Sequence, residues 1–176
     1  MKYILILVAI TGFTFIGHLK LNKEDSSLKI VGTSSLHDWE MIVDEYDAIG
    51  LVTESQIKNL KVTVNAKSMK SGKSIMDNKA YDAVRADDYP SILFSAESLQ
   101  LDGGKIRGMG TLEIAGKSRE IDFSADIISD ANGTMQLRGE VPLKMTDFDI
   151  TPPTAMFGTL KTGDGVVIHY DIFITK

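Results

Sequence analysis

The densest run of chemistry-bearing side chains is Ser34-Ser35-Leu36-His37-Asp38-Trp39. It holds the residue types of a serine-hydrolase triad. Such triads are assembled from separate segments, so adjacency in sequence does not create one. The chain also has no Gly-x-Ser-x-Gly elbow. The simpler reading is a turn entering a strand, with Asp38 or the serines bonding the backbone and Trp39 in the core. An enzyme using His37 with Asp38 stands as an alternative; it requires the two side chains side by side in a cleft. Gly72-Lys73-Ser74 and Gly116-Lys117-Ser118 end like phosphate-binding loops. Such a loop needs a glycine five positions earlier, where this chain has Lys67 and Thr111. Both triplets therefore read as turns.

Metal chemistry has little to work with. The histidines are His18, His37 and His169, and none has a close His, Asp or Glu partner at ligand spacing. There is no cysteine, which excludes disulfides, thiolate sites and a cysteine nucleophile. The remaining carboxylates are scattered and read as a solvated face. Asn132-Gly133-Thr134 is formally a glycosylation sequon but falls in a tight turn. Neither a metal nor a required cofactor is expected.

Composition narrows the classes further. The chain has 176 residues, 19 Lys+Arg against 24 Asp+Glu, and a formal net charge of −5. That balance speaks against nucleic-acid binding. At 43% apolar and 24% charged it is ordinary globular material of single-domain size.

Residues 1–18 read as an export signal or an N-terminal anchor. Lys2 gives a short positive start, Tyr3 to Gly17 is apolar, and a polar run follows. The apolar stretch is short for a membrane helix, which needs about 20 residues. No clean small-x-small cleavage pair follows it, so membrane association through an uncleaved signal stays open. The expected location is exported, periplasmic or secreted.

Any site must be positioned by the elements that follow, and the folded domain is expected over residues 27–176. Its dominant apolar period is two. Leu60-Val62-Val64, Ile106 to Ile114, Ile121 to Ile127, Met135 to Met145 and Ile168 to Ile174 each alternate with polar neighbours. Alternation puts one set inward and the other toward water. Gly108, Gly110 and Gly139 share the inward parity, as strongly curved strands require. Asp102-Gly103-Gly104, Ala115-Gly116, Asn132-Gly133 and Asp164-Gly165 predict hairpins. The pattern is an all-β antiparallel barrel or sandwich. One segment departs from it: Ser74 to Arg85 predicts a short helix, capped by Ser74 with Asp77 three residues on, ending before Tyr89-Pro90. Apolar residues are spread along the strands, so the interior is either a packed core or the lining of an apolar ligand pocket.

Four segments together resemble the YceI-like family. They are Gly32-Thr33-Ser34-Ser35-Leu36-His37-Asp38-Trp39; Lys67 to Gly72 with Met76-Asp77, Tyr81 and Tyr89-Pro90-Ser91-Ile92-Leu93-Phe94; Gly110 to Ile121; and Leu143-Lys144-Met145-Thr146-Asp147-Phe148 with Pro152-Pro153, Met156-Phe157-Gly158 and Gly165 to Ile168. Where many members place a longer arginine- and phenylalanine-rich segment before Tyr-Pro, this chain has Arg85-Ala86-Asp87-Asp88.

The resemblance implies an exported, lipocalin-like, antiparallel eight-stranded β-barrel with one short helix near a mouth. It also implies a polyisoprenoid or similar lipid held inside, without catalysis. On that reading the lining candidates by parity are Trp39, Met41, Val43, Val62, Val64, Phe94, Leu112, Ile114, Ile121, Phe123, Leu137, Val141, Phe148, Ile168 and Tyr170, with Met76 and Tyr81 at the mouth. A packed barrel serving a partner protein in an envelope redox or stress pathway is the rival reading, and a homodimer is a further open alternative.

Overall fold

A computed structural model describes residues 17–175. Most of the export segment read at residues 1–18 therefore lies outside the described residues. The elements in chain order are β1 (Gly17–His18), β2 (Lys20–Ser34), β3 (Trp39–Val43), β4 (Tyr46–Val52), β5 (Gln56–Asn65), β6 (Met69–Lys70), α1 (Ser74–Ala83), β7 (Ser91–Asp102), β8 (Lys105–Ile114), β9 (Lys117–Ala131), β10 (Thr134–Lys144), β11 (Thr154–Ala155) and β12 (Leu160–Thr175). β2 begins seven residues ahead of the domain start expected at residue 27. Its first half is mostly exposed, so the apolar alternation that marks the other strands is faint there.

The sheet runs β4-β5-β7-β8-β9-β10-β12-β2, each strand antiparallel to the next. It closes on itself through β1. Gly17 pairs with Val52 and His18 with Leu51, and the Leu19 N–H donates to the Gly50 carbonyl at 2.9 Å. Counting β1 and β2 as one interrupted strand, this ring has the expected eight long strands. The additional segments β3, β6 and β11 are short pieces paired beyond it. Closure through β1 spans only Gly17 to Leu19, and β3 pairs with β2 over Lys29–Gly32.

The tight turns follow the residue chemistry. Gly103-Gly104, Ala115-Gly116 and Asn132-Gly133 all have positive φ at both positions, as two-residue hairpins require. Asp164-Gly165 makes no hairpin. It lies within β12, where the pairing with β2 shifts between Thr162 and Val166. There the Asp164 carboxylate accepts from the Thr146 N–H at 2.9 Å and hydroxyl at 2.8 Å, which hold it below the usual carboxylate range.

The inward glycines make room for side chains. A Cβ on Gly110 would collide with the Phe94 ring, one on Gly139 with Tyr170 and the Ser124 carbonyl, and one on Gly108 with Leu99. Val52, Ile57, Leu99, Ile106, Met135 and Ile174 are the largest fully buried side chains among the described residues.

α1 occupies the predicted position but is not capped as expected. Its N-cap is Lys73, with no side-chain cap bond. Asp77 instead turns back to the preceding loop and accepts from the Ser71 N–H at 2.7 Å and hydroxyl at 2.6 Å.

Candidate functional site

Inward-facing strand residues and one face of α1 enclose two adjoining chambers. The outer chamber, about 710 Å³, opens between α1, the loop after β2 and the segment before β12. The inner chamber, about 170 Å³, lies within the barrel. Ile92 and Ile168 line both and so mark the neck between them.

The outer chamber takes Trp39, Met41, Ile114, Phe148, Ile168 and Met76 from the residues expected at the site. The inner chamber takes Val62, Val64, Phe94, Leu112, Ile121, Phe123, Leu137, Val141, Ile168 and Tyr170. Two expectations are corrected. Val43 is buried but lines neither chamber; it pairs with Met69 where β3 meets β6. Tyr81 lines neither chamber because its hydroxyl is turned to β6, donating to the Met69 carbonyl at 2.9 Å. It pins the helix while Met76, Ala80, Ala83 and Val84 line the cavity. These α1 residues, together with Ile30, Met69, Ile92 and Leu143, were missed apart from Met76. Ile92 and Leu143 did follow strand parity and were the findable ones.

Each wall is held locally. Trp39 lies over Gly32, where any Cβ would strike the indole, and its Nε1–H donates to the Thr33 carbonyl at 3.0 Å. In the inner chamber Phe94 and Phe123 stack with centroids 5.4 Å apart, and Phe123 and Tyr170 at 5.6 Å. The Tyr170 hydroxyl donates to the Ser124 carbonyl at 2.6 Å. Burial, then the charge of Asp126, pushes that hydroxyl well above the ordinary tyrosine value.

Tyr46 differs. Its side chain is 8% exposed and lines the inner chamber, and its hydroxyl has no hydrogen-bond partner among the described residues. Burial raises its pKa, so it is a neutral donor. An unmade hydrogen bond on a buried group costs about 1–3 kcal/mol. The other side chains around this chamber are apolar apart from Tyr170, and a water needs two to four polar partners to be held. The open donor is therefore a feature a ligand oxygen could complete.

Ser34, Leu36, His37 and Trp39 of the Ser34-to-Trp39 motif line the outer chamber, but its polar groups form no triad. Ser34 Oγ donates to the His37 carbonyl at 2.7 Å and accepts from the N–H groups of Leu36 and His37. His37 Nδ1 lies 2.7 Å from the Asp38 carbonyl, not its carboxylate. A carbonyl only accepts, so Nδ1 carries the proton. Serine, imidazole and carboxylate are thus each turned to the main chain or to solvent, with no relay between them. His169 is on the outside of the barrel, 3.5 Å from Glu140. Among the described residues no three His, Asp or Glu side chains converge on a metal position.

The loop that seats α1 carries a pH dependence. The Ser71 hydroxyl, then its N–H and the charge of Lys70, hold the Asp77 carboxyl below its ordinary value against the opposing effect of burial. A carboxylate with a lowered folded pKa stabilises the fold above its unfolded value, about 3.9, and loses that contribution as pH falls through the folded value. Asp77→Asn should therefore destabilise the protein by about 1–2 kcal/mol at neutral pH. Urea melts at pH 7 and pH 3 check this: the gap between wild type and variant should shrink in acid. An equal gap at both values would mean that the ionised carboxylate is not the source.

Comparison with known proteins points one way. The model of the YceI-like domain matches residues 19–174. BcnA of Burkholderia cenocepacia superposes with a TM-score of 0.70 at 16% identity, covering 87% of this chain and 98% of that one. A polyisoprenoid binding domain from Saccharophagus degradans, implicated in plant cell wall breakdown, gives 0.67 at 12% identity over 89% and 97%. The Campylobacter jejuni YCEI protein gives 0.65 at 24% identity over 76% and 82%. At these identities the superpositions establish a shared fold. No curated protein matches the sequence.

Proposed function

The chain belongs to the YceI-like family, and on that premise we propose that it is an exported, non-enzymatic carrier of a long apolar chain, a polyisoprenoid or a similar lipid. The observation that carries this reading is the pair of adjoining apolar chambers. A cavity of about 150 Å³ takes one benzene, or about 25 Å³ per carbon. By that measure the two chambers, about 710 and 170 Å³, have room for about 35 carbons. Burying 20 of them contributes about 16 kcal/mol at 0.8 kcal/mol each, enough to offset an association cost of about 4–15 kcal/mol. No charged contact is needed. The rival packed barrel calls for a filled interior and an exposed apolar patch; the chambers argue against the first, while exposed apolar side chains are present at Leu36, Ile75 and Phe157. For the enzyme alternative, Ser34 Oγ and His37 Nδ1 are bonded to main-chain groups and neither contacts the Asp38 carboxylate. The apolar run at residues 3–17 supports export.

Tyr46 refines the ligand. Its open hydroxyl suits an oxygen on the end of the chain that enters first. That oxygen is uncharged, because no cation lines the inner chamber and an unpaired buried charge is very costly. Trp39, the only tryptophan, lines the outer chamber, so its emission reports occupancy. Geranylgeraniol and the hydrocarbon of the same skeleton should both shift that emission and saturate at one equivalent. The alcohol should bind about five- to tenfold tighter, the value of one hydrogen bond. In Tyr46→Phe the two should bind alike. No saturable response to either compound would sink the carrier reading. An alcohol preference that survives in Tyr46→Phe would sink only the Tyr46 contact.

A further inference from the structure

The rim of the outer chamber carries charge opposite to that of the whole chain. The protein has a net charge of −5. Yet Lys73, Lys79, Lys144 and Lys161 line this chamber, and no Asp or Glu does. They come from the residue before α1, from α1 itself, from the end of β10 and from the start of β12. They therefore surround the opening from separate elements. Among the described residues none of the four forms an ion pair; Lys79 donates to the Thr154 carbonyl at 2.8 Å. Of the carboxylates in the rim segments, Asp77, Asp149 and Asp164 are engaged by Ser71, Lys117 and Thr146; Asp38, Asp82 and Asp147 lie in the same segments but do not line the chamber.

A second pattern falls in the same segments. The three most exposed large apolar side chains among the described residues are Leu36 at 69%, Ile75 at 78% and Phe157 at 111%. Leu36 and Ile75 line the outer chamber, and Phe157 follows β11, whose two residues line it too. Phe157 is held outward on a left-handed backbone, φ 56°, that a bulky residue rarely adopts. Protruding apolar groups interleaved with cations are the chemistry of an anionic membrane interface. A protein-binding surface would more typically be depleted of lysine.

We propose that this rim docks face-on against an anionic lipid bilayer, with Leu36, Ile75 and Phe157 inserted below the headgroups and the lysines on the phosphates. In that orientation the outer chamber opens directly onto the acyl layer. An apolar chain then passes between bilayer and barrel without crossing water. The docking surface stands on the rim residues and does not depend on which ligand the chambers hold.

The test is partition of the full chain onto vesicles of phosphatidylcholine alone or mixed with phosphatidylglycerol. The N-terminal apolar segment is the same in every variant, so differences report the rim. Wild type should bind the anionic vesicles at least tenfold better than the neutral ones, with the preference shrinking as salt is raised. The triple variant Lys73→Glu, Lys144→Glu, Lys161→Glu should lose the preference. Phe157→Ser, at a fully exposed side chain that no core contact depends on, should weaken binding to both vesicles several-fold. Thermal melting confirms that each variant is folded. An anionic preference unchanged in the folded triple variant would overturn the proposal. So would partition indifferent to Phe157→Ser, which is the result expected of a rim that meets a protein.

Discussion

Closing the neck with Ile92→Phe and Ile168→Phe should lower affinity for a long isoprenoid at least tenfold and leave the barrel folded. These are the two residues shared by both chambers. Two rings there would separate the inner 170 Å³ from the outer chamber. That volume holds about seven carbons on the benzene scale, and denying them costs up to about 6 kcal/mol of burial. Tenfold is therefore the lower end of the effect. Added volume usually destabilises a packed core by about 1–3 kcal/mol. Here the rings enter empty space, so the stability loss should fall below that range. The measurement is titration of prenols of increasing length, read by Trp39 emission. Long prenols should lose affinity, while chains short enough to stay in the outer chamber should keep theirs. Unchanged affinity at every length would show that ligands do not reach past the neck.

Gly139→Ala should be among the most destabilising single-methyl additions in the protein, at about 2–4 kcal/mol. A Cβ there would stand 2.7 Å from the Ser124 carbonyl oxygen and 2.7 Å from the Tyr170 ring carbon that bears the hydroxyl. The backbone acceptor cannot rotate away. Tyr170 would have to give up its bond to Ser124, and with it the stack on Phe123. Gly133→Ala is the matching control, because nothing lies within 4 Å of a Cβ there. Its cost is confined to the positive φ of the turn, about 1 kcal/mol. Chemical denaturation of both variants decides the point. Equal losses would place the effect of Gly139 in chain entropy, not in the contact with Tyr170.

Much of the architecture was legible in the residues. Period-two alternation marked β5, β8, β9, β10 and β12, because a closed barrel wets one face of each strand and buries the other. Of the four hairpins predicted, three form: Gly103-Gly104 and Asn132-Gly133 were readable from residues that accept positive φ, and Ala115-Gly116 from its place between two alternating runs. Asp164-Gly165 was misread because the same pair also suits a strand irregularity, and the Thr146 contact that uses Asp164 comes from a distant segment. The beginning of β2 was read as a polar lead-in because most of its side chains face water.

The site was legible only in part, for a different reason. Parity tells which side chains point inward but not at what height the interior is left empty. Val43 and Val141 share that inward sense, yet only Val141 borders a chamber. The role of α1 depends on Tyr81 and Asp77 turning away to hold the helix, which leaves its small residues facing the cavity. The lysines around the rim are far apart in sequence and meet only once the ring closes.

The most direct test of the carrier account is to weigh the protein itself. The full chain, expressed in a bacterial envelope and purified without detergent, would be examined by native mass spectrometry before and after organic extraction. The account predicts one extractable apolar molecule per chain, with a mass that identifies its lipid class. A bare chain that also takes up no added geranylgeraniol or longer prenol would contradict it.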